Sequence, residues 1–242
     1  MIQMLLLAYL MMPSALLAGD KSICGSWDDR RPSYDPRLAR VQKKVAKSGC
    51  SLTLFGRACA ITAGHCDKHF VEAHFNVPMS NKDGTINSSV SEDIYPVRFI
   101  IDSSADGKGK DFAVLMLGKN LLTNKLPGEV QGHYDISLER PKVGQYVTVT
   151  GYGADRDLGD ETRNYTQQLG VGEVVPIETR VISYLADTWG GSSGSPIIIK
   201  NKVVGIHTHG NCESNDGVNS GSLISETPEL MRAILACLAF ER

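Results

Sequence analysis

Short runs with strand character recur along most of the chain, and they limit the possible folds more than any other feature. The runs are rich in Val, Ile, Thr and aromatic residues, and Gly, Asn, Asp and Ser separate them. No helical pattern alternates with them, which favours an antiparallel all-β protein over a parallel α/β sheet. The predicted strands are Ser51–Phe55, Ala58–Ala63, Phe70–Phe75, Tyr95–Asp102, Phe112–Leu117, Tyr146–Gly151, Arg180–Leu185, Pro196–Ile199, Val203–Thr208 and Ser222–Ser225.

The C-terminal stretch is the exception to this β pattern. Thr227 is a predicted N-cap, Pro228 occupies the first turn and Glu229 follows it. Four apolar residues then recur at helical spacing, namely Leu230, Ile234, Leu235 and Leu238. Residues 227–242 are therefore predicted to form a helix. Residues 121–142 hold Pro and Gly without a periodic pattern, and we interpret them as a connection between two β domains.

Composition and the first residues indicate where the protein acts. At 242 residues with a formal net charge of −2, the chain shows no signature of a nucleic-acid partner. Residues 1–18 are apolar, lack charged side chains and end at small residues, which is typical of a secretory signal peptide. The Arg and Lys residues that follow are mixed with Asp, so residues 19–44 are interpreted as a solvated N-terminal arm. We expect a secreted or periplasmic protein, monomeric and without stable membrane association once the signal is removed.

Six cysteines in an exported chain fit three disulfides. Cys50 and Cys66 bracket two strands of a hairpin, so a bridge between them is predicted. The other four cysteines leave three possible pairings. A zinc site is the competing interpretation, but the sequence has no CxxC pair, and we expect no metal.

Three separated motifs supply the residue types of an acyl-transfer site. Ser193 lies in the Gly-rich stretch Gly190–Pro196, His65 follows a strand of small residues, and Asp111 opens an apolar run. A serine hydroxyl needs a neighbouring base, imidazole titrates near neutral pH, and a carboxylate orients the ring. The amides of Gly191 and Ser193 are predicted to converge on a developing oxyanion. Each motif alone has a bland interpretation as a loop, a core histidine or a strand cap, whereas the three together predict nucleophilic catalysis.

From about Cys50 to its end the chain resembles the chymotrypsin-like serine peptidases, and more narrowly their bacterial trypsin-like and glutamyl endopeptidase branch. Small-residue–His–Cys, Asp before an apolar strand and Gly-x-Ser-Gly-x-Pro occur in the family's order. The resemblance implies two six-stranded antiparallel β-barrels with a C-terminal α-helix. It also implies hydrolysis of polypeptide substrates through an acyl-enzyme, without a metal or an organic cofactor.

The resemblance also implies domain limits and two further disulfides. The first barrel is expected over residues 45–120 and the second over residues 143–226. Cys24 is expected to pair with Cys212 and Cys59 with Cys237; these bridges would tie the N-terminal arm to the specificity region and the first barrel to the terminal helix.

Residues of the expected specificity pocket give conflicting indications. His207 and Thr188 match positions that receive a substrate carboxylate in glutamyl endopeptidases. Both side chains can donate the hydrogen bonds that a buried carboxylate needs. Asp187 matches the aspartate that pairs with Arg or Lys in trypsin-type enzymes. Because Asp-Thr-x-Gly-Gly also resembles several bacterial glutamyl enzymes, the sequence favours cleavage after Glu, with cleavage after Arg or Lys as the alternative.

Three more residues complete the predicted substrate-binding set. Thr208 follows His207, Gly210 is placed at the rim beside the substrate backbone, and Gly221 at the pocket floor. A non-catalytic module that captures a peptide or a glycan on the same fold remains the alternative from another functional class.

Ser192 predicts that activation does not follow the trypsinogen route. Most animal relatives have Asp immediately before the nucleophile, where it pairs with a newly cleaved N-terminal amine, and Ser192 has no charge to form that pair. We therefore expect an N-terminally extended form to have the same activity before and after trimming. Activity measured across a trimming series checks this, and an inert extended form that gains activity on a single cut would contradict it.

Overall fold

The computed structural model describes residues 22–43, 49–66, 70–155, 160–212 and 217–241. The predicted signal peptide, residues 1–18, lies outside them. Within the described residues no helix has the length and apolar character needed to cross a membrane.

The described chain is built mainly from antiparallel strands. Its strands are β1 Arg31–Pro32, β2 Leu38–Lys43, β3 Gly49–Leu54, β4 Cys59–Thr62, β5 Phe70–Phe75, β6 Ile94–Ala105, β7 Asp111–Leu117, β8 Asp135–Ile136, β9 Tyr146–Gly151, β10 Gln168–Glu173, β11 Val181–Tyr184, β12 Pro196–Ile199, β13 Lys202–His209 and β14 Asn219–Leu223. Its helices are α1 Pro127–Gln131 and α2 Pro228–Phe240. The terminal helix is confirmed, and the connection predicted over 121–142 contains α1 and β8.

The first lobe is a closed barrel of six strands in the order β2-β3-β4-β7-β6-β5. Side chains from its strands fill the interior, and Leu52, Phe75, Tyr95 and Leu115 have no exposed surface. The β-branched and aromatic residues that predicted these strands therefore form a dry core. This lobe carries both His65 and Asp111.

The first barrel begins at β2, seven residues before the predicted boundary at residue 45. The sequence did not predict this strand because a charged residue such as Arg40 usually indicates solvated surface. Arg40 is nevertheless only 2% exposed. Its guanidinium donates to the carbonyls of Tyr165 (3.1 Å) and Asn87 (2.9 Å). Burial lowers the pKa of Arg40 to about 10. Part of the predicted N-terminal arm, residues 38–43, therefore belongs to the first barrel rather than to a solvated surface.

The second lobe is a sheet whose central strands follow the order β10-β9-β12-β13-β14-β11. Its ends meet through one bridge between Val174 and Tyr184, reinforced by the hydrogen bond from the Val175 amide to the Ser183 carbonyl at 3.0 Å. The predicted second six-stranded barrel is thus closed by a short bridge rather than by a full ladder. The outer edge of β10 pairs with β1, and β8 pairs with β13 in parallel.

All three predicted disulfides are confirmed. Cys50 joins Cys66, Cys24 joins Cys212, and Cys59 joins Cys237. The first fixes the turn directly after His65. The second ties the segment 22–32 to the second lobe, and the third ties β4 to α2.

Candidate active site

His65 and Asp111 meet at one end of the first barrel. Asp111, at the start of β7, is 2% exposed, and its Oδ2 lies 2.6 Å from His65 Nδ1. The other carboxylate oxygen accepts the His65 backbone N–H at 3.0 Å. Burial opposes ionisation of Asp111, but the hydrogen bonds and charge of His65 outweigh it and lower the pKa of the carboxyl. An ionised Asp111 therefore fixes both the ring and the backbone of His65.

The turn that carries Ser193 is pressed against this barrel. Gly194 has φ +88°, and a Cβ there would lie 2.1 Å from the Ser51 carbonyl oxygen and 2.2 Å from Thr62 Oγ1. The Ser193 carbonyl accepts the Ser51 amide at 2.8 Å. Only glycine fits this approach, which brings Ser193 to the lobe that holds His65. Within the described residues no hydrogen bond yet joins Ser193 to His65, as is common in free enzymes.

Two amides of this turn are available to a ligand. The amides of Ser192, Gly194 and Ser195 donate to the carbonyls of Trp189, His207 and Ser192. Those of Gly191 and Ser193 have no acceptor within the part of the chain that the structure describes. The two free amides are the pair that the sequence assigned to an oxyanion.

Two hydroxyls without partners lie among the buried residues of the second lobe next to the expected pocket. Thr188 is 2% exposed and Ser220 is 1% exposed, and neither hydroxyl has a hydrogen-bond partner among the residues that the structure describes. A buried hydroxyl without a partner is unfavourable unless a ligand supplies one. Ser220 was not predicted, because a serine within a strand carries no distinguishing sequence signal.

His207 is buried on β13 as a neutral ring. Its Nδ1 lies 2.6 Å from the Tyr184 hydroxyl, and the Ser220 backbone also interacts with the ring. Burial, followed by the nearby His209 and His65, lowers the pKa of His207 to about 3. Burial also raises the pKa of Tyr184 well above its ordinary value. No sequence pattern distinguishes Tyr184, since a tyrosine in a strand usually indicates a core residue.

Asp187 does not stand free for a cationic substrate side chain. It is 3% exposed, and its two carboxylate oxygens accept the amides of Cys24 (2.6 Å) and Asp29 (3.0 Å). Burial raises the pKa of Asp187 to about 6 despite these hydrogen bonds. Sequence reasoning missed this role because the partners lie far away along the chain.

The segment 22–32 also forms part of the predicted pocket rim. Ser22 and Thr188 exchange backbone hydrogen bonds at 3.2 and 3.1 Å. A Cβ at Gly210 would lie 2.7 Å from Ser22 Cβ, so the rim at Gly210 is backed by this segment. The buried Asn219, which the sequence did not indicate, donates to the carbonyls of Ser22 (3.0 Å) and Ala186 (2.8 Å).

The remaining predicted residues are distributed around this region. Thr208 Oγ1 lies 2.8 Å from His209 Nδ1, and the His209 ring centroid is 6.5 Å from that of His65. A Cβ at Gly221 would lie 2.0 Å from the Ile206 carbonyl oxygen. Gly221 therefore permits close packing between β13 and β14.

A zinc site is the alternative to disulfides that the cysteines allow, and the described residues include one set that could hold a metal. Cys50, His65 and Cys66 bring their ligand atoms within 4.8 Å of one another in the described part of the chain. The two sulfurs are joined to each other, and a disulfide is not the thiolate that binds zinc.

Two β lobes that meet at a serine, a histidine and an aspartate define the class of chymotrypsin-like serine peptidases. The Trypsin family model matches residues 28–224, and the chain belongs to the trypsin family.

Curated relatives include glutamyl endopeptidases of two bacteria. The chain is 31% identical over 151 residues to that of Staphylococcus aureus, a match covering 60% of this chain and 39% of the relative. It is 27% identical over 184 residues to that of Bacillus licheniformis, covering 73% of this chain and 54% of the relative. The matches thus span from two fifths to about half of the relatives' length.

Solved structures share the fold. A Glu endopeptidase in complex with MPD superposes with a TM-score of 0.70 at 20% identity, covering 90% of this chain and 99% of that chain. The protease Anisep from Arthrobacter nicotinovorans gives 0.65 at 14% identity, covering 87% and 99%.

The raised pKa of Asp187 predicts a specific pH dependence of stability. The native carboxyl keeps its proton to higher pH than the unfolded chain does, so the native state binds more protons between pH 4 and pH 6. The contribution of this carboxyl to the free energy of unfolding should be fully present below pH 4. It should then fall by about 2–3 kcal/mol as the pH rises through 6. Asp187→Asn should remove this fall in urea unfolding measured from pH 4 to pH 7.

The matched control is Asp106→Asn on an exposed loop, which should keep the wild-type pH profile. If Asp187→Asn also follows the wild-type profile, the carboxyl of Asp187 is not the group responsible.

Proposed function

We propose that the chain is a serine endopeptidase that cleaves polypeptides through an acyl-enzyme on Ser193. His65 takes the hydroxyl proton as Ser193 Oγ bonds to the scissile carbonyl carbon, and it returns the proton to the leaving amine. Water then attacks the ester with His65 again as the base, which releases the acid product and regenerates Ser193. Asp111 holds the ring tautomer and stabilises the imidazolium. The free amides of Gly191 and Ser193 stabilise the oxyanion in both steps.

The observation that carries this proposal is the meeting of two preorganised parts. The ionised Asp111 orients His65 from the first lobe, and a glycine turn from the second lobe brings Ser193 with two unoccupied amides. A binding module would have no need of both a fixed base and free amide donors beside a hydroxyl.

We further propose that the pocket prefers Glu before the scissile bond. The hydroxyls of Thr188 and Ser220 lack partners and are suited to receive a buried carboxylate. His207 is neutral, and because the Tyr184 hydroxyl lies against Nδ1, the ring can donate through Nε2. Asp187, which would repel Glu and attract Arg, is held by segment 22–32. The glutamyl endopeptidases among the relatives support the same preference.

Secretion is part of the proposal. Three disulfides require an oxidising compartment, which agrees with a signal peptide over residues 1–18. The proposed working form is a monomer, because each residue of the mechanism comes from one chain.

Cleavage of a peptide library by the oxidised protein tests the function directly, with Ser193→Ala as the control. We expect cuts after Glu that disappear in the control. Cuts after Arg or Lys would contradict the Glu preference, and the absence of Ser193-dependent cuts from folded protein would favour the binding module.

The role of the Thr188 hydroxyl is tested by Thr188→Val, which removes one donor at nearly constant volume. We expect kcat/KM for a Glu peptide to fall about tenfold or more relative to that for the matching Gln peptide, since a charged group loses more than a neutral one.

The matched control is Thr53→Val, which removes another buried hydroxyl without a partner, but in the first barrel. It should leave the ratio of kcat/KM for Glu and Gln peptides unchanged. An equal change of this ratio in both variants would show that the Thr188 hydroxyl does not bind the Glu side chain.

A further inference from the structure

A balanced cluster of four buried or partly buried charges lies behind the nucleophile turn. Arg30 forms ion pairs with Asp28 at 2.6 Å and with Asp155 at 3.3 Å, and its side chain is 2% exposed. Arg163 pairs with Asp155 at 3.1 Å and donates to the Arg30 carbonyl at 2.8 Å. Asp155 has no exposed surface. We call these four residues the ion cluster; the catalytic mechanism above uses none of them.

The ion cluster reaches the oxyanion turn through one short loop. The Arg30 guanidinium donates to the Ala154 carbonyl at 3.4 Å, and the Ala154 amide donates to the Gly190 carbonyl at 2.8 Å. Gly190 directly precedes Gly191, whose amide is one of the two free donors. Asp155 continues this loop and anchors it to Arg30 by its charge.

Arg30 also contacts the turn from a second direction. Its guanidinium carbon lies 5.4 Å from the ring centroid of Trp189. The Trp189 carbonyl accepts the Ser192 amide at 2.9 Å. A Cβ at Gly153 would lie 2.8 Å from the Arg30 guanidinium, 2.9 Å from Ser192 Oγ and 3.3 Å from Trp189 Cβ. Arg30, Ser192 and Trp189 therefore pack around one backbone position.

We propose that Arg30, held by Asp28 and Asp155, is a positioning residue that keeps the Gly191 and Ser193 amides aimed at the oxyanion. This inference rests on the proposed function. Ser192 has no charge with which to form an ion pair that would hold the turn. Charged residues that hold the turn must therefore lie outside it. The ion cluster provides such residues from the segment 22–32, which the disulfide Cys24–Cys212 ties to the same lobe.

A buried charge left without its partner destabilises the protein, so the test needs a variant that removes charges in pairs. Arg30→Met alone leaves the buried Asp28 carboxylate without its ion-pair partner. The double variant Arg30→Met with Asp28→Asn removes one positive and one negative charge and leaves Asp155 paired with Arg163. Replacement of buried ion pairs by neutral groups is often tolerated, and urea unfolding verifies that the double variant folds.

The decisive measurements are steady-state kinetics on a Glu peptide and hydrogen exchange of a peptic fragment spanning residues 189–195. For the double variant we expect kcat to fall about tenfold or more, with KM within about twofold, because a misaimed donor costs transition-state rather than ground-state binding. We also expect faster exchange in that fragment. A merely structural role would lower the unfolding midpoint without this division between kcat and KM.

The control is Arg37→Met, which removes another arginine paired with a carboxylate, that of Asp35 at 2.8 Å. It should leave both kcat and the exchange of residues 189–195 at wild-type values. A folded double variant with wild-type kcat and wild-type exchange overturns the proposal. If the wild type itself cleaves no peptide, the proposed function fails, and the exchange rates alone then support or overturn the role of Arg30.

Discussion

Hydrogen bonds of Ser51 hold the two lobes in register, and the site depends on this register. Its amide donates to the Ser193 carbonyl at 2.8 Å, and its hydroxyl bridges the Tyr152 amide (2.8 Å) and the Gly191 carbonyl (3.1 Å). The Ser51 hydroxyl thus uses its single donor on one partner and one of its two acceptor lone pairs on the other. Since Cys50 next to it is bridged to the turn after His65, one short stretch of β3 links His65 and Ser193, the proposed base and nucleophile.

The balance between burial and hydrogen-bond partners decides the charge state of each titratable group near the site. Asp111 remains ionised because His65 bonds to it, whereas Asp187 is shifted towards its neutral form by burial although two amides bond to it. Burial, followed by the nearby His209 and His65, lowers the pKa of His207 to about 3 and keeps the ring neutral above that pH. The region therefore combines an ionised Asp111 beside His65 with a neutral His207 and with an Asp187 that ionises only above a pH of about 6, and each state follows from local contacts.

The triad motifs and the C-terminal helix were predictable because each has a local signature: a glycine turn, a histidine after a small-residue strand, an N-cap followed by helical spacing. The first strand of the barrel was not predicted because Arg40 at its centre indicates a surface position. Its burial is explained only by the two backbone carbonyls to which it donates. The role of Asp187 was missed for the same reason, since its ligands are amides from the other end of the chain. Sequence patterns predict which residues are apolar or reactive, but a buried polar group is explained only by its distant partner.

The disulfide between Cys24 and Cys212 has a consequence for selectivity. It fastens the segment that backs the pocket rim, occupies Asp187 and carries Arg30. Reduction of this one bond would release a wall of the pocket while leaving the first barrel and its His65–Asp111 pair intact. The segment behind the predicted pocket rim and the turn after His65 are thus secured by two different covalent bonds, Cys24–Cys212 and Cys50–Cys66.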